Sequence, residues 1–142
     1  MPESSYSFAV FSSDILGHIY EIFLSEQLKV ENGNIVLRKK PEIEDRDVVT
    51  TPTFIVRDIL NETVKKYCEG KSAGEILNSK FADIACGSGA FLLEAYQLLQ
   101  DILVDYFIVN DQSQLVQTGV NSYKLKFEYK KRILLQCIFG ID

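Results

Sequence analysis

The sequence predicts an α/β protein with a helix and a β-hairpin ahead of its main part, and three observations lead to this class. The stretch "KFADIACGSGAF" leads from a short apolar run through a glycine loop into a helical pattern, which is the order strand, loop, helix. The stretch "CIFGID" is a second short apolar run that suits a strand. Between two alternating runs, Asn32-Gly33 is a strong signal for a hairpin turn.

The composition suits one folded domain, with room for a small appendage. The chain has 142 residues, and 46% of them are hydrophobic, which is too many for a disordered chain. Lys and Arg number 15 against 20 Asp and Glu, so the formal net charge is −5. A free-standing DNA-binding module usually has a basic face. The charge therefore gives no support for tight nucleic-acid binding by this segment alone.

Cysteine usage and the N-terminal stretch predict a cytoplasmic protein. The three cysteines form no pair with metal-ligand spacing, which favours reduced thiols and no metal site. The stretch "MPESSYSFAVFSSD" lacks the positive charge and the apolar core of a signal peptide. No uncharged apolar run reaches membrane-spanning length, so no membrane association is expected.

The first part of the chain predicts a helix followed by the hairpin. Ser12, Ser13 and Asp14 offer N-cap side chains ahead of "ILGHIYEIFLSEQL", whose apolar residues recur at helical spacing. The single histidine on this helix is expected to have a structural role. The hairpin strands are expected at residues 29–31 and 34–38, and the charged stretch "KKPEIEDRDVV" is expected to be a linker.

A second helix is expected in "TTPTFIVRDILNETVKKYC", with Thr51 as its cap and Pro52 in its first turn. Helical spacing predicts a buried side formed by Phe54, Ile55, Ile59, Val64 and Tyr67. The stretch "EGKSAGEILNSK" predicts a turn, "NDQSQLVQTGVNSY" a loop, and "KLKFEYKKRILLQ" another helix.

The glycine loop is expected to join a strand at residues 81–85 to a helix from residue 91 to about residue 109. A second strand is expected at residues 138–142. Crossover connections join neighbouring strands, so the two strands are predicted to be parallel and adjacent.

Three classes of ligand use a glycine loop after a strand, and two of them fit poorly. A P-loop requires G-x-x-x-x-G-K-[ST], but no lysine follows these glycines. A dinucleotide site requires G-x-G-x-x-G, and Leu92 occupies the third place after Gly87 and Gly89. The third class is S-adenosylmethionine. Asp83 can accept hydrogen bonds from its ammonium group, and Asp142 can accept hydrogen bonds from its ribose hydroxyls. The alternative is that the glycines form only a tight turn.

Four stretches, in order along the chain, resemble motifs of amino-methylating adenine DNA methyltransferases. "ADIACGSGAFLLEAY" resembles the cofactor motif D-P-A-C-G-S-G-x-F, with Ile84 in place of the proline. "TTPTFIVRDIL" resembles the segment Y-T-P-x-x-I-V, with Thr50 in place of the tyrosine. "EYKKRILLQCIFGID" resembles the run that leads to the ribose-binding acid. "DILGHIYEIFLSE" is similar to a helix of type I modification subunits and single-chain restriction–methylation enzymes.

This resemblance implies an incomplete Rossmann-like fold of the S-adenosylmethionine-dependent methyltransferases. It divides the chain into residues 1–46, a helix with hairpin and linker, and residues 47–142, the N-terminal part of the cofactor-binding domain. It places ten residues at the cofactor, namely Thr51, Pro52, Asp83, Ala85, Cys86, Gly87, Ser88, Gly89, Phe91 and Asp142. Thr51 and Pro52 are expected by the methionine group. For Cys86 and Phe91, packing is a competing interpretation.

The same resemblance implies a bacterial restriction–modification enzyme that transfers methyl to adenine N6 at a specific DNA site. Its catalytic motif is of the N-P-P-Y type, whereas Pro2, Pro41 and Pro52 are the only prolines here and none are adjacent. We therefore expect a fragment, truncated by experiment or in nature, that is inactive alone. DNA would bind through downstream regions of the parent, with a specificity or restriction subunit as a further partner. Exposed strand edges predict a homo-oligomer of the fragment.

Two other hypotheses stay open from the sequence. One is a non-catalytic interaction module, in which the helix and hairpin dock a partner and the glycine loop is vestigial. The other is a fragment of a methyltransferase that acts on RNA or protein amines, because N-P-P motifs also occur in those enzymes. Cofactor binding separates the module from an enzyme fragment, since the fragment should bind at least weakly.

Overall fold

The computed structural model describes residues 13–40 and 51–141. The chain divides into two compact units, Met1–Thr51 and Pro52–Asp142. Several predictions fall outside the described residues, namely the side-chain cap of the first helix, the linker at residues 41–50 and the ribose contact of Asp142. The role expected for His18 falls outside the described side chains.

The first unit contains a helix and an antiparallel hairpin. Helix α1 spans Ser13–Ser25, strand β1 spans Glu26–Glu31, and strand β2 spans Asn34–Lys39. Between the strands, Asn32 and Gly33 have φ angles of 51° and 81°. A type I′ turn requires positive φ at both of its central residues. The hairpin that the sequence predicts is therefore confirmed.

Strand β1 is longer than the sequence predicts, and helix α1 is correspondingly shorter. The apolar helical pattern continues to Leu28, but Glu26 already pairs with Lys39, and Leu28 pairs with Leu37. Cross-strand hydrogen bonding thus extends to both ends of the hairpin and ends the helix at Ser25. Pairing with a partner strand has overridden the local helical spacing.

The second unit alternates helices and short strands. In chain order its elements are α2 (Thr53–Leu60), a π-helical turn (Asn61–Lys65), α3 (Lys66–Cys68), α4 (Ala73–Asn78), β3 (Phe81–Asp83), α5 (Ala90–Asn110), a 3₁₀ turn (Gln112–Gln114), β4 (Leu115–Gly119), β5 (Ser122–Leu125), α6 (Phe127–Arg132), a second π-helical turn (Ile133–Cys137) and β6 (Ile138–Gly140). Strands β3 and β6 pair in parallel, with Phe81 opposite Ile138. The predicted parallel pairing is confirmed.

The core of the second unit surrounds α5. Leu99 and Leu103 on this helix are fully buried. Val56 of α2, Ile76 of α4 and Ile133 of the second π-helical turn belong to the same buried cluster. The long helix predicted after the glycine loop is confirmed, and the core packing gives that loop a rigid support.

Helix α2 begins later than the sequence predicts, and Thr51 does not cap it. Its N-cap residue is Pro52, and no side chain caps the helix. The carbonyl oxygen of Pro52 accepts hydrogen bonds from the N–H groups of Ile55 and Val56, at 2.9 and 3.1 Å. Proline suits this position because the first helical N–H groups have no intrahelical acceptor and its own φ is already near the helical value.

The buried side of α2 and the turns after it differs from the one that helical spacing predicts. The buried residues are Val56, Leu60, Val64 and Cys68, and of the predicted set only Val64 is among them. These buried residues are spaced four apart. Four residues of an α-helix rotate about 40° more than one full turn, so a row of side chains with this spacing would gradually turn away from the core. The wider π-helical turn at Asn61–Lys65 absorbs that drift and keeps the stripe on one face.

The stretch "EGKSAGEILNSK" contains a helix, α4, rather than only the turn that the sequence predicts. The N–H of Glu75 donates to Ser72 Oγ at 3.3 Å, and the N–H of Ser72 donates to Glu75 Oε2 at 2.8 Å. These reciprocal bonds form a capping box. The signal in the sequence was serine followed three residues later by glutamate.

The stretch "NDQSQLVQTGVNSY" forms a hairpin rather than a loop. Strands β4 and β5 are antiparallel, with Leu115 opposite Leu125. Both of these leucines are buried, so the base of the hairpin is anchored in the core. Its turn contains Asn121 with a φ of 57°, a conformation that asparagine adopts more readily than most residues.

Candidate cofactor-binding loop

The glycine loop connects the end of β3 to the start of α5. β3 ends at Asp83, and α5 begins at Ala90 with Gly89 as its N-cap residue. Gly89 has a φ of 81° and Gly87 a φ of 47°, so both lie in the left-handed region that favours glycine. The two glycines therefore let the chain turn from the strand into the helix without steric strain.

Backbone hydrogen bonds hold this loop to the segment that follows β6. The N–H of Ile141 donates to the carbonyl oxygen of Asp83 at 2.9 Å, and the N–H of Cys86 donates to the carbonyl oxygen of Ile141 at 3.0 Å. Within the loop, the N–H of Gly89 donates to the carbonyl oxygen of Cys86 at 2.7 Å. Cys86 is thus bonded to the residue after β6 and to the N-cap of α5.

The carboxylate of Asp83 has one oxygen engaged in shaping the loop. The N–H of Ala85 donates to Asp83 Oδ1 at 3.1 Å, and the side chain is half-buried. None of the ion pairs in the described part of the chain involves Asp83. A donor on a ligand could bond to the carboxylate oxygen that the N–H of Ala85 does not use.

The space beside the two glycines is open. A Cβ atom placed at Gly87 or at Gly89 would meet nothing within 4 Å beyond the neighbouring residues. The first N–H groups of the 21-residue helix α5 point towards its N-terminus without intrahelical acceptors, and the helix dipole favours negative charge there. The open space therefore lies beside N–H groups that have no intrahelical acceptor, and Asp83 ends the strand that leads into the same loop.

The other residues predicted in the loop differ in exposure. Ala85 is exposed, whereas Ser88 and Phe91 are half-buried. Phe91 packs against the core and, with Asp83, lines a cleft of about 350 Å³. The packing of Phe91 agrees with the competing interpretation, and its predicted contact with the cofactor stays a prediction.

Thr51 and Pro52 are exposed and lie at the division between the two units. The places predicted for these two residues beside the methionine group stay predictions.

An ion pair connects helix α2, which follows Pro52, to the beginning of α5. Arg57 Nε on α2 donates to Glu94 Oε2 on α5 at 2.8 Å.

Gly140 belongs to the surroundings of the loop, and sequence reasoning missed it. A Cβ atom at this position would lie 2.6 Å from Leu92 Cδ1 and 2.9 Å from Cys86 Sγ. Gly140 is not among the glycines with positive φ, so close packing rather than backbone conformation requires the absence of a side chain. The signal in the sequence was a glycine inside an apolar strand, which often marks close backbone approach.

The described residues contain no group of three or more side chains that could hold a metal ion. The three cysteines are free. Burial raises the pKa of the Cys68 and Cys137 thiols, which keeps both protonated at neutral pH.

Within residues 13–40 and 51–141, no helix combines the length and the apolar character needed to cross a membrane.

Comparison with known proteins relates this chain to a restriction–modification enzyme. It is 63% identical over 142 residues to the "Type II restriction enzyme and methyltransferase RM.Eco57I" of Escherichia coli. The match covers 99% of this chain but 14% of that protein, so the chain spans only a small part of that protein's length. No family model matches the chain, and no solved structure matches it.

Proposed function

We propose that this chain belongs to the S-adenosylmethionine-binding portion of a site-specific adenine-N6 DNA methyltransferase of a restriction–modification system. The main support for this proposal is the 63% identity to an enzyme named as a methyltransferase, over a segment that includes the glycine loop. The open space beside Gly87 and Gly89 supports the proposal. The parallel pairing of β3 with β6 supports an incomplete Rossmann-like fold as part of the same proposal.

In this proposal the residues of the chain bind and orient the cofactor, which supplies a methyl group on a sulfonium centre. Asp83 accepts hydrogen bonds from the ammonium, and charge-assisted bonds of this kind are among the stronger ones in proteins. The N–H groups at the N-terminus of α5 would donate to the carboxylate. Gly87 and Gly89 let the ligand approach the backbone closely, and Asp142 is proposed to bind the ribose hydroxyls.

The remaining steps belong to the longer enzyme. Adenine would be flipped into a pocket that stacks and hydrogen-bonds the base. The motif of the N-P-P-Y type that would form this pocket is not in the sequence of these 142 residues. We propose DNA and a specificity or restriction subunit as partners of the longer enzyme, and a cytoplasmic location for it.

We expect this chain to bind S-adenosylhomocysteine weakly, with a Kd above about 100 µM, which corresponds to less than ~5.5 kcal/mol of binding free energy. The physical reason is that a ligand site normally buries most of its ligand, whereas this loop covers one side. Titration followed by the amide NMR signals of Gly87 and Gly89 measures the affinity, with ATP as the control ligand. A response to ATP alone would contradict the proposal, and no response to either would favour the interaction module.

We also expect no methyl transfer by the chain alone. Transfer requires the acceptor amine to be held in line with the sulfonium, and such positioning contributes several kcal/mol or more to catalysis. The chain is incubated with labelled S-adenosylmethionine and, separately, with DNA, RNA or protein. The control carries Gly87→Trp and Gly89→Trp, which fill the open space beside the loop. Incorporation above the control would contradict the expectation, and the responding polymer would identify the substrate class.

A further inference from the structure

Gly140 contacts the loop more closely than a side chain would allow. With a methyl group added, the distances would be 2.6 Å to Leu92 Cδ1, 2.9 Å to Cys86 Sγ and 3.3 Å to Cys86 Cβ. Carbon atoms in ordinary contact are about 3.5–4.0 Å apart. The two neighbours differ in freedom, because Leu92 can rotate the end of a long side chain, whereas Cys86 Cβ is fixed to the loop backbone.

We propose that Gly140 is a positioning residue for the cofactor loop, acting through Cys86. The identity of the ligand in this inference rests on the proposed function. The contact between Gly140 and Cys86 does not depend on it. Without a side chain at Gly140, Cys86 lies directly on β6, and its N–H bonds to the carbonyl oxygen of Ile141. The absence of a side chain at Gly140 thus determines how closely the loop approaches the backbone of β6.

A displacement of Cys86 would reach the part of the loop that faces the ligand. The carbonyl oxygen of Cys86 accepts the N–H of Gly89 at 2.7 Å, and Gly89 is the N-cap of α5. Pushing Cys86 outward therefore shifts the start of the helix and its unpaired N–H groups relative to Asp83. Tight packing transmits such small shifts, because protein interiors have few voids to absorb them.

The test is Gly140→Ala, with Gly119→Ala as the matched control. Neither glycine has positive φ, and a Cβ atom at Gly119 would meet only Ser122 Cβ, at 3.7 Å. Overpacking of a tight contact predicts a loss of about tenfold in affinity for S-adenosylhomocysteine with Gly140→Ala. The control should bind as the original chain does. Equal binding by both variants would contradict the proposal.

A second change separates the route through Cys86 from a general loss of structure. Cys86→Ala removes Sγ, so the chain with both Cys86→Ala and Gly140→Ala should regain part of the lost affinity. Because residues in contact couple, the effects of the two changes should not add. A loss that Cys86→Ala does not relieve would contradict the positioning role. If Gly140→Ala alone does not fold, the double variant should still fold and bind nearly as Cys86→Ala does, and a double variant that also fails to fold would contradict the route through Cys86.

The ligand-free NMR spectra keep this inference distinct from the proposed function. Gly140→Ala should shift the amide signals of Cys86 and Gly89, whereas Gly119→Ala should leave them unchanged. If the original chain binds no S-adenosylhomocysteine but these shifts occur, the proposed function fails and the positioning role of Gly140 stands. If the original chain binds and the shifts are absent, the positioning role fails alone.

Discussion

We expect Asp83→Ala to lower the affinity for S-adenosylhomocysteine by at least about tenfold. A hydrogen bond to a charged group contributes about 1.5–3 kcal/mol, and the half-buried position of Asp83 limits screening by water. The change also removes the acceptor for the N–H of Ala85, which helps to shape the loop. Calorimetric titration or NMR shifts at matched protein concentration measure the loss.

Asp83→Asn is the control that separates charge from loop shape. Asparagine keeps an oxygen that can accept the N–H of Ala85, but it has no charge to attract an ammonium. We expect its affinity to fall nearly as far as that of Asp83→Ala. Binding by Asp83→Asn at the original level would limit Asp83 to shaping the loop. Unchanged binding by Asp83→Ala would contradict both roles.

We further expect the chain to self-associate, and we propose a second copy of the chain as the partner at the β3–β6 sheet. Each of these strands pairs on one edge only in the part of the chain that the structure describes. Parallel sheets are normally covered on both faces. Beside the sheet, Ile84 is 78% exposed and Ile141 is 60% exposed. Exposed strand edges and apolar side chains together favour pairing with another chain.

Sedimentation equilibrium over a wide concentration range measures this association. The net charge of −5 opposes it, so added salt should strengthen it by screening the repulsion. Ile84→Asn should weaken the association. Val120→Asn, at a 94% exposed position in the β4–β5 turn, removes apolar surface away from the sheet and should not. A monomer at every concentration and salt level would refute the expectation.

Several elements could be predicted because their causes are local in the sequence. The first hairpin follows from Asn32-Gly33, whose positive φ angles suit few other residue pairs. The parallel neighbours β3 and β6 follow from the order strand, glycine loop, helix and strand. The loop itself follows from Gly87 and Gly89, which both adopt the left-handed conformation.

Other features depend on contacts that spacing alone does not reveal. The stripe that α2 buries depends on the π-helical turn at Asn61–Lys65, and the regular helical period points to the wrong face. Strands β4 and β5 lie in a polar stretch, and only the buried ends at Leu115 and Leu125 attach them to the core. The contact between Gly140 and Cys86 joins two segments that are distant in sequence.

The β4–β5 turn provides a practical attachment point for spectroscopy on this chain. Its tip at Val120 is almost fully accessible, whereas the base of the hairpin is fixed by buried Leu115 and Leu125. Exposed loop tips tolerate insertions well, because little buried surface or backbone bonding is disturbed. A fluorophore or an immobilisation tag placed at Val120 would therefore disturb little of the buried core.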